Sequence, residues 1–169
     1  LEEAGINITE MNSGCICCSL VGDFAEALQK VIEEYNPDRI LIEPSGVGKL
    51  SDVIKAVKSA DTKGAVLGGF TTVVDANKCK MHMKNFGEFF NNQIESCKTV
   101  VLSRTDNISE DKLKMVVELI REHNPEVRII TTPWDALDAH DIVRAMEGDN
   151  LLEDMMKEAH EHHHHDHEH

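Results

Sequence analysis

The segment "TVVLSRTD" (residues 99–106) is the part of the sequence that best indicates the fold. Its apolar residues stand at consecutive positions, which is typical of a β-strand that is covered on both faces. Polar side chains follow at once and end in the carboxylate of Asp106. Buried strands that lead into polar loops are the building units of parallel α/β sheets. We therefore expect a parallel sheet with residues 99–103 inside it.

Further runs along the chain support this expectation. Four more segments have the composition of strands, namely "INITEM" (6–11), "RILIEP" (39–44), "GFTTVVDA" (69–76) and "VRIITTP" (127–133). Helical periodicity is present in the intervening segments, at about 20–35, 49–59, 78–96 and 109–123, and in shorter pieces at 137–148 and 150–160. Alternating strands and helices predict an α/β fold, in which ligands bind beyond the carboxyl ends of the strands. Ser109 is the predicted N-cap of the helix at 109–123.

The composition restricts the partners that this chain can have. The formal net charge is −14 at pH 7, so the surface should repel nucleic-acid backbones and anionic membranes. No stretch approaches the roughly 20 apolar residues of a membrane span, and no signal peptide opens the chain. We therefore expect a cytoplasmic protein without nucleic-acid or membrane partners. Thiols stay reduced in that compartment, where clustered cysteines are commonly catalytic or metal-binding.

The segment "GCICC" (residues 14–18) places Cys15, Cys17 and Cys18 within four positions. Three thiolates on one loop can converge on a single ion, and Zn²⁺ or Co²⁺ accepts such a ligand set. Two alternatives remain open. Cys15 and Cys18 form a CxxC pair that could be redox-active, and Cys17 and Cys18 could be small buried hydrophobic residues. The third thiol favours the metal site, since a dithiol switch does not require it.

The segment "EPSGVGKL" (43–50) resembles a phosphate-binding P-loop but does not match it. The P-loop pattern would require glycine at position 43 and serine or threonine at position 50, where the chain has Glu43 and Leu50. An acidic residue at a strand end, followed by a glycine turn, suits a different role. The Glu43 carboxylate could reach Mg²⁺ or its bound water, and the Gly46 amide could lie near a terminal phosphate. The alternative is an ordinary strand end and turn.

Asp106 has the chemistry of a base-reading residue. An ionised aspartate accepts two parallel N–H bonds, which matches the N1–H and N2–H₂ edge of guanine. The alternative is a turn that leads into the next helix. Asp75, which ends the run at 69–76, is interpreted as a structural residue.

The end of the chain differs in composition from the rest. Residues 1–152 form the expected domain, whereas residues 153–169 form an acidic tail for which we expect no packed structure. The tail holds seven of the ten histidines, which are His160, His162, His163, His164, His165, His167 and His169. Imidazoles that alternate with carboxylates can bind zinc, nickel or cobalt in fast exchange. A purification tag or cloning remnant is the alternative.

Taken together, these motifs resemble those of the CobW-like metallochaperone GTPases, relatives of the nickel-insertion GTPases of urease and hydrogenase maturation. The resemblance rests on four segments in a fixed order: "GCICC" (14–18) for GCxCC, "EPSG" (43–46) for ExxG, "VVDA" (73–76), and "QIESCKTVVLSRTD" (93–106) for the run that ends in N-K-x-D. It implies a three-layer, Rossmann-like P-loop GTPase fold with a mainly parallel sheet. The N-terminal strand and P-loop of that fold would be missing from this segment.

The resemblance also implies a function. The protein would bind a transition metal, Zn²⁺ or Co²⁺, and couple GTP and Mg²⁺ binding and hydrolysis to delivery of that metal. The implied partners are GTP, the metal ion and a client metalloprotein, and a homodimer is a candidate assembly. The base-reading segment would comprise Ser103, Arg104 and Asp106. A metal-storage module without nucleotide, or a thiol redox protein that uses Cys15 and Cys18, are the alternative functions.

Two departures from the family pattern modify these expectations. The family's P-loop lies upstream of the matching segment, so it should precede Leu1, and we expect this chain alone to hydrolyse little or no GTP. Ser103 replaces the asparagine of N-K-x-D, and its shorter side chain should weaken guanine selectivity. Arg104 replaces the lysine and can still stack on a base or ribose.

Overall fold

The computed structural model describes residue 8, residues 20–44 and residues 48–147. The chain divides into two compact units, one that ends at Leu67 and one that begins at Gly68. Within these described ranges, no helix combines the length and the apolar character needed to cross a membrane.

The first unit contains a pair of packed helices. Helix α1 spans Leu20–Tyr35 and helix α2 spans Leu50–Ser59, close to the bounds that periodicity predicts. Their shared core is formed by Leu28, Val53 and Val57. Burial of each such side chain stabilises the fold by about 1.5–3 kcal/mol, so these few contacts account for much of the cohesion of this unit.

The strand expected at residues 39–44 is absent, although all six residues are described. Ile40 and Ile42 are half-buried against the core of the two helices, whereas Leu41 is 77% exposed. The segment therefore covers the core with one face only, and the prediction of a strand covered on both faces was wrong. Consecutive apolar residues do not by themselves supply the neighbouring strands that a sheet requires. Of the run predicted at 6–11, only Ile8 lies within the described residues.

The second unit contains a three-stranded parallel sheet. The strands are β1 (Thr71–Asp75), β2 (Thr99–Ser103) and β3 (Arg128–Ile130), in the spatial order β1-β2-β3. Helix α3 (Cys79–Ser96) connects β1 to β2, and helix α4 (Glu110–His123) connects β2 to β3. A 3-10 helix at Trp134–Ala136 and a helix over residues 139–147 follow. The predicted α/β fold with a parallel sheet is confirmed.

Strand β2 lies at the centre of this sheet and of its core. Val100, Val101 and Leu102 are all at most 2% exposed, as the run of consecutive apolar residues predicts. The helices contribute buried side chains from their inner faces, including Ile94, Val116 and Ile120. Strand β2 therefore offers a rigid base for the loop that follows it.

Helix α4 begins as its sequence predicts. The Ser109 hydroxyl accepts a hydrogen bond from the backbone N–H of Lys112, at 3.3 Å, and Ser109 itself has extended backbone angles. Glu110 and Asp111 follow in the first turn, where negative charge is favourable beside the unpaired N–H groups of a helix start. The cap fixes the point at which the loop after β2 becomes a helix.

The helix over residues 139–147 packs against the amino ends of β2 and β3. The carbonyl of Ala145 accepts hydrogen bonds from the Thr99 hydroxyl at 2.5 Å and from the Arg128 guanidinium at 2.9 Å. Gly69 lies directly beneath the carbonyl of Met146, and a Cβ atom at this position would collide with it. Glycine is therefore required there by the close approach of two backbone segments.

Candidate functional site

The carboxyl ends of β1 and β2 lie side by side, because Asp75 pairs in register with Ser103. The two strands are parallel, so the turn after β1 and the loop after β2 leave the sheet at the same edge. The backbone N–H of Ala76 donates to the carbonyl of Ser103 at 3.1 Å. The Ser103 hydroxyl donates to the carbonyl of Val74 at 3.3 Å. These bonds join the two segments where binding residues were expected.

The carboxylate of Asp75 is engaged on both of its oxygens. Oδ1 accepts from the backbone N–H of Asn77 at 2.9 Å and of Lys78 at 3.3 Å. Oδ2 lies 3.3 Å from Nε of Arg104, and the Asp75 side chain is only 15% exposed. Asp75 therefore shapes the turn after β1 and holds the neighbouring loop, in agreement with the structural role inferred from the sequence.

Arg104 has a left-handed backbone conformation, with φ of 60°. A residue other than glycine in such a region costs roughly 1–3 kcal/mol, so neighbouring contacts must hold it there. The carbonyl of Arg104 accepts a hydrogen bond from Nδ2 of Asn77 at 3.1 Å, while its Nε is paired with Asp75. The side chain is 73% exposed, so its outer nitrogens remain accessible to a ligand.

The loop after β2 places Thr105 inside the unit and Asp106 outside it. Thr105 is 8% exposed, whereas Asp106 is exposed to solvent. A solvent-facing carboxylate on an anchored loop can accept two side-by-side N–H bonds from a ligand. The role of Asp106 as a reader of the guanine edge stays a prediction.

Two residues at this edge were missed by the sequence analysis, Asn77 and Lys112. Oδ1 of Asn77 accepts a hydrogen bond from Nζ of Lys112 at 3.0 Å, while its Nδ2 donates to Arg104. A polar residue two positions after the strand-ending Asp75 is a turn signal that could have drawn attention to Asn77. Lys112 carries no such signal, because its partner is 35 residues away in the sequence.

The predicted phosphate and magnesium residues are only partly described. Glu43 belongs to the first unit and is exposed, so its oxygens are available to a cation. Gly46 lies outside the described residues. The assignment of Glu43 and Gly46 to Mg²⁺ and a terminal phosphate stays a prediction.

The predicted metal ligands also lie outside the described residues. These are Cys15, Cys17 and Cys18 together with the histidines from His160 to His169. Within the described ranges, no group of three histidine, cysteine or acidic side chains could hold a metal ion. The metal sites therefore stay predictions, and no competing site occurs in the part of the chain that is described.

The two other cysteines, Cys79 and Cys97, are buried and unbridged. Burial, followed by the nearby charge of Asp75, raises the pKa of the Cys79 thiol to about 11. Burial also raises the pKa of Cys97. Since the thiolate is the form that binds metals, these two side chains serve packing.

The described residues form an α/β domain with a parallel sheet, and polar loops follow its strands. A family model described as "CobW/HypB/UreG, nucleotide-binding domain" matches residues 1–131. The chain therefore belongs to the CobW/HypB/UreG family, and the resemblance found in the sequence is confirmed. No solved structure gave a significant match to the chain.

Curated relatives carry names that refer to zinc. "Zinc chaperone CobW" of Sinorhizobium sp is 30% identical over 133 residues, which cover 65% of this chain and 38% of the relative. "Zinc-regulated GTPase metalloprotein activator 1" of Schizosaccharomyces pombe is 30% identical over 135 residues, covering 76% and 32%. "Zinc chaperone YeiR" of Escherichia coli is 22% identical over 141 residues, covering 83% and 43%. The chain thus spans between about a third and two fifths of the length of these relatives.

Proposed function

We propose that this chain is part of the GTPase domain of a metal-trafficking protein. The protein binds a transition metal, zinc in the first place, through Cys15, Cys17 and Cys18, and its nucleotide state governs delivery of the metal. Membership of the CobW/HypB/UreG family supports the nucleotide half of this proposal. The names of the relatives, which include a zinc chaperone and a zinc-regulated GTPase, support the metal half.

The observation that carries the nucleotide half is the presentation of Asp106. Its exposed carboxylate follows the most deeply buried strand of the sheet, and the loop between them is held by side-chain hydrogen bonds. Asp106 binds the N1–H and N2–H₂ edge of guanine, and the exposed part of the Arg104 side chain stacks on the base or ribose. The Ser103 hydroxyl already donates to Val74, which supports the expectation of reduced guanine selectivity.

The phosphate end of the nucleotide is assigned to Glu43 and Gly46. The exposed Glu43 carboxylate holds Mg²⁺ or its bound water, because carboxylate oxygens are the ligands that this ion prefers. The Gly46 amide binds the terminal phosphate. Bound Mg²⁺ supplies charge neutralisation at the phosphates during hydrolysis.

The metal is cargo that passes to a client metalloprotein in the cytoplasm. Thiolate ligands suit zinc, and their reduced state is maintained in that compartment. The histidines from His160 to His169 provide weaker, rapidly exchanging metal sites. A homodimer is retained as a candidate assembly.

A cobalt titration of a chain that ends at Ala159 tests the metal half. Tetrahedral thiolate coordination of Co²⁺ gives intense charge-transfer absorption, which imidazole-only sites lack. Under reducing conditions we expect one Co²⁺ per chain with this absorption. Metal must displace protons from thiols whose ordinary pKa is about 8.5, so the affinity should fall as the pH is lowered.

The variants of this experiment assign the signal to particular thiols. Changing Cys17 or Cys18 to serine should abolish the absorption, and Cys15→Ser should weaken it. Cys97→Ala is the matched control, because Cys97 is buried with a raised pKa and should contribute nothing. Far-ultraviolet circular dichroism checks that each variant is folded. Absence of the thiolate band, or its survival when all three cysteines are serine, would overturn the metal assignment.

A further inference from the structure

The side chain of Asn77 joins three segments of the second unit. Its Nδ2 donates to the carbonyl of Arg104 at 3.1 Å, and its Oδ1 accepts from Nζ of Lys112 at 3.0 Å. A carbonyl can only accept and an ammonium can only donate, so both ends of the amide are assigned without ambiguity. Asn77 therefore links the turn after β1 to the loop after β2 and to the first turn of α4.

The contact to Arg104 falls on the one residue of the loop that most needs support. Arg104 has a φ of 60°, a conformation that residues with a Cβ atom adopt rarely. Its backbone is held by Asn77 and its side chain by Asp75. Release of the carbonyl would allow this residue to return to a right-handed conformation, and the direction of Asp106, two residues further on, would change with it.

Lys112 holds the same loop from its other end. Its backbone N–H donates to the capping hydroxyl of Ser109, and its side chain returns to Asn77. The loop between β2 and α4 is thus fixed at its start through Arg104 and at its end through the helix cap. The Asn77 side chain contacts Arg104 at the start of the loop and Nζ of Lys112 just beyond its end.

We propose that Asn77 and Lys112 are positioning residues that hold Asp106 in the orientation required for guanine recognition. This inference rests on the proposed role of Asp106 as the base-reading residue. Asn77 is exposed, so its hydrogen bonds compete with water and should add little to the stability of the fold. Loss of the tether should therefore change nucleotide selectivity much more than it changes melting temperature. A merely structural residue would show the reverse.

The test measures the affinities of the whole protein for fluorescent guanine and adenine nucleotides. We expect Asn77→Ala to reduce the guanine-to-adenine preference about fivefold, the effect of losing one ordinary hydrogen bond. Asn77→Asp should do the same, because it keeps an acceptor for Lys112 but cannot donate to Arg104. Lys112→Met keeps the aliphatic stem and should also reduce the preference about fivefold, because it removes one hydrogen bond of the tether. Lys80→Met is the matched control, since Lys80 is an exposed lysine that lines the same surface cavity as Asn77 and Lys112.

Asp106→Ala separates this proposal from the function on which it rests. If Asp106→Ala leaves the guanine preference intact, or if the unaltered protein has none, the base-reading assignment is wrong and the tether fails with it. If Asp106→Ala removes the preference while Asn77→Ala and Asn77→Asp stay within twofold of the unaltered protein, the positioning role alone is wrong. A fall in selectivity for both Asn77 variants, with melting temperatures unchanged and Lys80→Met unaffected, supports the tether.

Discussion

Two segments of this protein have nearly the same apolar pattern and opposite environments. Residues 40–42 read Ile-Leu-Ile and residues 100–102 read Val-Val-Leu. In the first segment Leu41 is 77% exposed, whereas Leu102 in the second is 1% exposed. The apolar pattern predicts a buried strand in both segments, but only the second segment forms one.

The difference lies in the neighbours of each segment. Strand β2 pairs with β1 on one side and with β3 on the other, and buried side chains from α3 and α4 complete the core. Residues 40–42 meet the helix pair of the first unit with one face only. A run of consecutive apolar residues is thus compatible with a strand that is buried on both faces. Whether both faces are buried depends on partners elsewhere in the chain.

The largest expected effect comes from truncating one leucine in each segment. Leu102→Ala should lower the free energy of unfolding by about 2–5 kcal/mol, because it leaves a cavity in a packed core. Leu41→Ala should change it by less than about 0.5 kcal/mol, because the side chain is already in water. Urea denaturation followed by circular dichroism measures both values. Equal losses for the two variants would show that residues 40–42 are buried as β2 is.

A smaller effect is expected from the hydroxyl of Thr105, where the burial of β2 extends into the loop. Its Oγ1 is buried and has no hydrogen-bond partner among the described residues. Thr105→Val replaces this hydroxyl with a methyl group of similar size. We expect the free energy of unfolding to stay constant or to rise by about 1 kcal/mol, because an unpaired buried polar group is removed.

Thr99→Val is the matched control for this substitution. Thr99 is also buried, but its hydroxyl donates to the carbonyl of Ala145, so its loss should destabilise the protein by about 1 kcal/mol or more. Thermal unfolding of the two variants in parallel gives the comparison. If Thr105→Val destabilises as much as Thr99→Val, the Thr105 hydroxyl has a hydrogen-bond partner and the expectation for this loop is wrong.

Local signals in the sequence were sufficient to predict most of the elements. Helices α1 to α4 and the three strands lie within the predicted segments, and the cap at Ser109 forms as expected. These features depend on periodicity, capping and turn chemistry, which act over a few residues. The strand expected at 39–44 failed because strand formation depends on partners that the local pattern does not name.

Less of the candidate site can be compared with the sequence. Asp106 lies after a buried strand, as predicted, but its role stays a prediction. The contacts of Asp75 agree with a structural role. The tether through Asn77 and Lys112 was not predictable, because it requires the register between β1 and β2 and the position of α4. Contacts between residues that are about 30 positions apart in the sequence can be identified only from the folded structure.

Coupling between metal and nucleotide is the central claim, and one measurement addresses it directly. The zinc affinity of the whole protein is determined by competition with a chromophoric chelator, once with GDP and once with a non-hydrolysable GTP analogue, at constant free Mg²⁺. Binding sites that are coupled differ in affinity by about 5–150-fold between the two states of the other ligand. We predict a difference of at least about tenfold that disappears in Cys17→Ser. Equal zinc affinities in the two nucleotide states would contradict the account.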